Sequence, residues 1–305
     1  MRSSTGLHHV TAIAGPAQEN LDFYAGVLGM RLVKRSVNQD DPGTHHLFYA
    51  DAEGRPGTDL TFFPWSHMAP SREGHGLSTE VSLAVPAGSL SYWRDRLSHY
   101  GVTTAPVETR FGERVLPARD PHGLRLALVE ARSAAARPFT PWEHSPVPAD
   151  HQIRGLESAR LSERDLAPST AFLTDVLGFT HLGAENGWAR RGSADTRGSA
   201  RSLGCRQHPS SRLACGRRRA SAGAAYSRGS RRPTPVIDRF WFKSVYFTEP
   251  GGVLFELATD GPGFAVDEDP SHLGESLVLP PWLEPHRPRI EAALPTLRMP
   301  DTTYR

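Results

Sequence analysis

At 305 residues, 38% of them apolar and 9% aromatic, the chain has room for one large or two ordinary domains, each with its own core. No run of about 18 apolar residues is present, which excludes a membrane-spanning helix. With only two cysteines there is no disulfide framework, so a reducing cytoplasm is the expected location. The formal charge of +2 is unevenly spread: residues 188–232 hold 12 Arg and one Asp, a local +11, and the rest of the chain stands at −9.

In chain order, Met1 to Gly6 leads into a strand-like segment with no signal-peptide core. A strand through His9 is followed by an amphipathic helix over roughly Ala17 to Leu28, with Leu21, Tyr24 and Leu28 on one face and Gly29 as its stop. The pattern returns 149 residues later. Gly6-Leu7-His8-His9 aligns with Gly155-Leu156-Glu157-Ser158, Phe23 with Phe172, and Val27-Leu28-Gly29-Met30 with Val176-Leu177-Gly178-Phe179. A second repeat has an offset of 129: Arg110-Phe111, Arg114, Asp120-Pro121 and Gly123 align with Arg239-Phe240, Lys243, Glu249-Pro250 and Gly252. In both copies an acidic-Pro-x-Gly turn joins two strands, the second running from Leu124 to Glu130 or from Val253 to Thr259.

The chain therefore divides into four units, at about 6–65, 77–131, 155–200 and 205–260. The expected fold class is α+β: four βαβββ repeats forming two barrel-like domains, the fourth disrupted at 188–232. The first domain spans 1–137, a Pro-rich linker 138–150, the second domain 151–278, and a C-terminal tail 279–305 packs back as an extended clamp with a short helix.

Structural positions in such repeats should stay apolar in every copy, and chemistry should sit where the copies differ. His9 falls opposite Ser158 and Glu256 opposite Ala127. Glu256 interrupts the apolar strand Val253-Leu254-Phe255-Glu256-Leu257, and a carboxylate buried there needs a partner. Either residue alone reads as ordinary strand polarity. Together, at singular points of matching repeats, they point to metal ligation of the His-plus-carboxylate type used by Fe(II) or, less favoured, Mn(II). His45 and His46 lie in a strand that can turn one of them to the lumen, and both are read as structural.

The opening Gly6-Leu7-His8-His9-Val10-Thr11 resembles the hydroquinone-type extradiol ring-cleaving dioxygenases of the glyoxalase/bleomycin-resistance/dioxygenase superfamily. Phe48-Tyr49-Ala50-Asp51, Thr61-Phe62-Phe63-Pro64-Trp65, the stretch Thr234 to Phe264 and Pro280-Pro281-Trp282-Leu283 are similar to the same family. The resemblance implies His9 and Glu256 as Fe(II) ligands, with His8, Thr11, Arg239 and Tyr246 at catalytic and substrate positions. It also implies a small aromatic substrate and dioxygen, with neither nucleic acid nor membrane as partner. In that chemistry His8 is the expected acid/base, and Arg239 or Tyr246 holds the ring oxygen. Arg239 also has a structural reading, because Arg110 occupies its repeat position; Tyr246 aligns instead with Pro117.

The family also has a third ligand, a His from a His-His pair on the first strand of unit four, and no such pair follows residue 46. Residues 188–232 stand there, without helical or strand periodicity. A basic insert that binds nucleic acid fits poorly, since the segment replaces expected structure and interleaves no aromatics for base stacking. A reading-frame shift in the gene fits better: His208 to Cys215 can be encoded so that the same bases, read one position on, give Thr-His-His-Leu-Ala-Trp-Arg. As written, the chain lacks a ligand and is expected to bind iron weakly, with His208 the nearest substitute. Two other activities suit the same fold, a glyoxalase-like metal-dependent lyase or isomerase and a metal-free protein that sequesters small aromatics.

Overall fold

The computed structural model describes residues 6–67, 74–193, 202–205 and 232–299. Its strands and helices mix as an α+β fold in three sheets. β1 (His9–Ala14), β2 (Arg31–Asn38), β3 (Asp41–Ala50) and β4 (Asp59–Pro64) form a four-stranded sheet in the order β1-β4-β3-β2. β5 (Leu77–Val85), β6 (Glu108–Arg110), β7 (Glu113–Arg119) and β8 (Arg125–Glu130) share a sheet with β9 (Leu156–Ser162), β10 (Phe179–Glu185), β11 (Trp188–Ser193) and β12 (Ser202–Cys205). Its order is β10-β11-β12-β9-β5-β8-β7-β6. β13 (Ile237–Asp238), β14 (Lys243–Thr248) and β15 (Leu254–Ala258) make the third sheet.

Strand parity decides what each sheet offers the core. On β1, Val10, Ala12 and Ala14 are buried in the main apolar cluster, which leaves His9, Thr11 and Ile13 on the other face. Helix α1 (Ala17–Leu21) follows Pro16, whose fixed φ suits a helix start, and continues through a wide turn of π geometry over Asp22–Val27. Leu21, Tyr24 and Leu28 face inward as expected, and Tyr24 packs on Phe62 at 4.3 Å between ring centres. Gly29 closes the helix at φ +67°, and a side chain there would strike Val147 and Ser145 of the Pro-rich stretch, which is seated directly on the helix end. Helix α2 (Leu90–His99) buries Leu90, Trp93 and Leu97. Helix α3 (Leu166–Ala171) is capped by the Asp165 carboxylate, continues through a second π turn at Phe172–Val176, and ends at Gly178, φ +71°.

Sheet continuity crosses the Pro-rich stretch: β5 pairs antiparallel with β9, Val81 opposite Ala159. The segment 188–232 departs from its expected lack of structure, because β11 and β12 lie within it. β11 is held by backbone ladders to β10 and β12, and β12 in turn pairs with β9. Arg190 on β11 bonds Glu113 at 3.0 Å and Glu157 at 2.6 Å, so this strand is stabilised by charge pairing rather than by apolar alternation. The same face carries a buried Arg137–Glu157 pair and two arginines, Arg110 and Arg160, on Glu80. The remaining calls on the segment, His208 and the position of the missing His-His pair, lie outside the described residues.

The stretch from 279 to 299 packs back on the body. Helix α4 (Arg287–Ala293) buries Ile290 against Val37 and Leu279, and Leu297 joins the main core. Before it, buried Lys34 anchors residues 264–268, bonding the Phe264 carbonyl at 2.9 Å and the Asp267 and Glu268 carboxylates.

Candidate metal and substrate site

The first and third sheets face each other across a cavity of about 400 Å³. From β1 come His9, Thr11 and Ile13; from the third sheet and its approach come Arg239, Trp241, Phe242, Tyr246 and Glu256. β14 and β15 are in antiparallel register with Tyr246 opposite Glu256, so one alternating face delivers both side chains together. The aromatic wall is completed by Phe48, Phe63 and Trp65.

His9 and Glu256, 247 residues apart, meet at the buried end, with His9 Nε2 3.1 Å from Glu256 Oε2 and both residues 4% exposed. Glu256 also accepts a short hydrogen bond from the Ser244 hydroxyl. Burial alone would raise the Glu256 pKa, but His9, Ser244 and Tyr246 outweigh it and hold the carboxyl below its usual range. Burial alone would lower the His9 pKa; the charge and hydrogen bond of Glu256, with Asp59 adding, turn the net shift upward. Each partner thus favours the charged form of the other, at the position a metal cation would take.

The fit to a metal ion can be tested on that distance. Two donors each about 2.1 Å from one ion and at right angles to it lie about 3.0 Å apart, and the pair is spaced at 3.1 Å. An imidazole nitrogen and a carboxylate are also the donor set that non-haem Fe(II) and Mn(II) use. His9 and Glu256 therefore fit one edge of a divalent ion. Among the described residues no group of three His, Cys, Asp or Glu side chains converges on such a point.

The other residues singled out from the sequence fall in three places. Thr11 lines the cavity and accepts from the Thr61 hydroxyl at 3.0 Å. Arg239 and Tyr246 line it as a bonded pair, Arg239 Nε donating to the Tyr246 oxygen at 3.2 Å. The Arg239 guanidinium also grips Asp40 at 3.0 and 3.2 Å, so the tip of the β2–β3 hairpin is tied to the mouth. Burial, reinforced by the Glu256 charge, raises the Tyr246 pKa against the opposing Arg239, and its phenol stays protonated. His8 lies elsewhere. It is buried but outside the cavity lining, with Nε2 3.1 Å from the Thr259 carbonyl and Nδ1 3.0 Å from His9 Nδ1.

Several comparisons bear on this geometry. A family model, glyoxalase/bleomycin resistance protein/dioxygenase superfamily, matches residues 6–128. MhqO of Bacillus subtilis (strain 168), whose name places it among ring-cleaving dioxygenases, is 39% identical over 312 residues, covering 96% of each chain. The chain belongs to that superfamily. Chlorohydroquinone/hydroquinone 1,2-dioxygenase of Sphingobium indicum is 30% identical over 299 residues, 92% of each chain. A crystal structure of a dioxygenase from Bacillus subtilis subsp. subtilis str. 168 superposes with a TM-score of 0.86 at 36% identity, covering 98% of this chain and 99% of that one. Glyoxalase I from Zea mays, at 16% identity, shares the fold with a TM-score of 0.61 over 84% of this chain and 92% of its own.

This dioxygenase-type enzyme has one cavity residue that the sequence reading set aside. His46 lines the cavity, its Nε2 bonded to Thr61 Oγ1 at 3.0 Å and its ring stacked near Phe48 and Phe63. Burial, then the cationic His9 and Arg239, push its pKa well below the usual imidazole range, so it is neutral. The signal was strand parity: His46 and Phe48 share one face of β3, and His45 turns away to the Pro295 carbonyl. At the repeat-aligned position of His9, Ser158 lies beside the Arg–Glu network, around a cavity of only about 40 Å³.

Proposed function

We propose that this chain is an Fe(II)-dependent ring-cleaving dioxygenase acting on a hydroquinone- or catechol-like aromatic with dioxygen. Mn(II) is the less favoured ion. The observation that carries the reading is the buried His9–Glu256 pair at 3.1 Å, opening onto an aromatic-walled cavity. The relatives' names, ring-cleaving and hydroquinone dioxygenases, support the reaction class and the substrate class.

In this reading His9 and Glu256 would hold the ion, which when bound lowers the pKa of a phenolic oxygen and brings it beside dioxygen. Phe48, Phe63, Trp65 and Trp241 bury the flat faces of a six-membered ring and exclude water. The Tyr246 oxygen accepts from Arg239 and keeps its own hydrogen to donate to a substrate oxygen, and the fixed Arg239 cation supports developing negative charge there. Thr11 and neutral His46 present a hydroxyl and an imidazole edge toward the ring substituents. His8, outside the lining, is not the acid/base in contact with substrate.

The four-unit organisation, two βαβββ pairs in barrel-like halves with boundaries near 137, 150 and 278, belongs to the same proposal. It is supported by matching left-handed backbone at Phe111 and Phe240 (φ +51° and +72°) and at Gly123 and Gly252 (φ +90° and +104°). So does the cytoplasmic location; no helix among the described residues is long and apolar enough to cross a membrane. As written, the chain offers two metal ligands among its described residues, and weak iron binding with low turnover follows. Sequencing the gene across codons 188–233 decides the frame-shift reading.

Anaerobic Fe(II) loading, followed by oxygen uptake against hydroquinones and catechols, tests the function. One oxygen consumed per ring opened supports it. Isomerisation of a thiohemiacetal without oxygen uptake would favour the glyoxalase-like reading, and tight aromatic binding with neither product would favour a sequestering protein.

A further inference from the structure

The wall of the cavity is longer than one aromatic ring needs. β1 runs parallel to β4, with His9 opposite Asp59 and Ile13 opposite Phe63, so both strands carry the lining away from the buried pair in step. Ile13 shares the cavity face of β1 with His9 and stands about 13 Å further along the strand. Across from it the rings of Phe48, His46, Phe63 and Trp65 form one row, with successive centres 3.8, 4.1 and 5.5 Å apart. Burial falls off in the same direction: His9 is 4% exposed, whereas Ile13, Phe63 and Trp65 are half-buried. The buried pair closes one end, and the row leads out to the mouth, where Asp40 at the hairpin tip is exposed.

We propose that the outer half of this cavity is a subsite for an apolar substituent on the substrate ring, a short alkyl chain above all. The assignment rests on the reading of the cavity as the site of a hydroquinone- or catechol-like substrate. Set with one oxygen at the His9–Glu256 end, a dihydroxybenzene spans less than half of the way to Ile13 and leaves much of Ile13, Phe63 and Trp65 uncovered. A cavity of about 400 Å³ is of the size that holds a drug-sized molecule rather than a single ring. Trp65 is a fixed part of the wall, its indole N–H donating to the Thr44 hydroxyl at 2.8 Å and its ring stacked on Phe63. Charge decides the chemistry of the substituent. Beyond the buried pair, the charged side chains lining the cavity among the described residues are Arg239 and Asp40, and they bond each other. An alkyl chain leaves that ion pair intact, and each methylene buried against Ile13, Phe63 and Trp65 tightens binding about fourfold.

Anaerobic equilibrium dialysis of the full, metal-free chain tests this, with hydroquinone and its methyl, ethyl, propyl and butyl derivatives as probes. Affinity should rise about threefold to fourfold with each added carbon. Ile13→Trp, which fills the outer half, should keep the affinity for hydroquinone and abolish the rise, so that butylhydroquinone binds no better than hydroquinone. Trp65→Ala removes part of the wall at a half-buried position and should flatten the slope of affinity against chain length. A propionate in place of the propyl group should gain nothing over hydroquinone. Affinity independent of chain length in the unsubstituted chain, or a slope that both variants leave unchanged, would overturn the proposal. So would tighter binding of the propionate than of the propyl derivative. The series needs neither metal nor turnover. Absence of oxygen uptake by the Fe(II)-loaded chain would therefore sink the dioxygenase reading alone, and a flat series beside normal oxygen uptake would sink the subsite alone.

Discussion

Glu163 sits fully buried after β9, its carboxyl against Glu249 and Ser169, with the Gly251 backbone pressed on it. Its neighbour Glu249 is well served, accepting from the Ser169 hydroxyl at 2.7 Å and from the Gly251 and Val253 N–H groups at 2.9 Å each. The proton of this carboxyl pair therefore sits on Glu163. Burial, then the Glu249 charge, lifts the Glu163 pKa from 4.5 to about 8. A carboxyl whose folded pKa is raised binds more protons folded than unfolded. The stability it allows is full below pH 4.5 and is lost as pH rises toward 8. Each tenfold in proton affinity is about 1.4 kcal/mol, so on the order of 4 kcal/mol is lost by pH 7.5. Glu163→Gln keeps the shape and removes the titration. It should match the unsubstituted chain in stability at pH 5 and exceed it at pH 8, by several kcal/mol in denaturant or about 10 °C in melting temperature. Parallel stability–pH curves for the two chains would refute the assignment of the proton to Glu163.

Further outcomes follow from the same packing. Gly274, at φ +80°, lies so close to the Leu32 carbonyl that a Cβ would overlap it; Gly274→Ala should cost about 3 kcal/mol or more in equilibrium unfolding. Lys34→Met leaves the Asp267 and Glu268 carboxylates without their buried cation. It should cost about 3–5 kcal/mol by denaturant titration and loosen Trp241, which Asp267 holds at 3.1 Å. Tyr246→Phe removes the hydroxyl bonded to Arg239 and should lower kcat in the oxygen-uptake assay about 100-fold with little change in melting temperature.

His9 and Glu256 were readable because each breaks a pattern its repeat partner keeps, and such a break survives any distance along the chain. Thr11, Arg239 and Tyr246 followed from the family resemblance and do line the cavity. His8 precedes β1, and its ring lies beside His9 but turns to the Thr259 carbonyl outside the cavity lining, a placement that no strand pattern gives. His46 was hidden by its neighbour: two adjacent histidines on β3 leave the face undecided until the register with β4 is known, which sets Leu47 opposite Phe62. Repeats also say which units are alike, not which edges pair. The β5–β9 junction that joins residues on both sides of the Pro-rich stretch is set by three-dimensional edge matching and leaves no motif. β11 escaped the reading because its alternation is one of charge partners, Arg190 on Glu113 and Glu157, which lie 77 and 33 residues away.

The most direct test of the central claim is an anaerobic Fe(II) binding isotherm on the full chain and on Glu256→Gln. If His9 and Glu256 form one edge of the metal site, the unsubstituted chain binds one Fe(II), and Glu256→Gln loses at least about 10-fold in affinity. Identical isotherms for the two chains would contradict the account and move the metal, and the chemistry with it, away from this cavity.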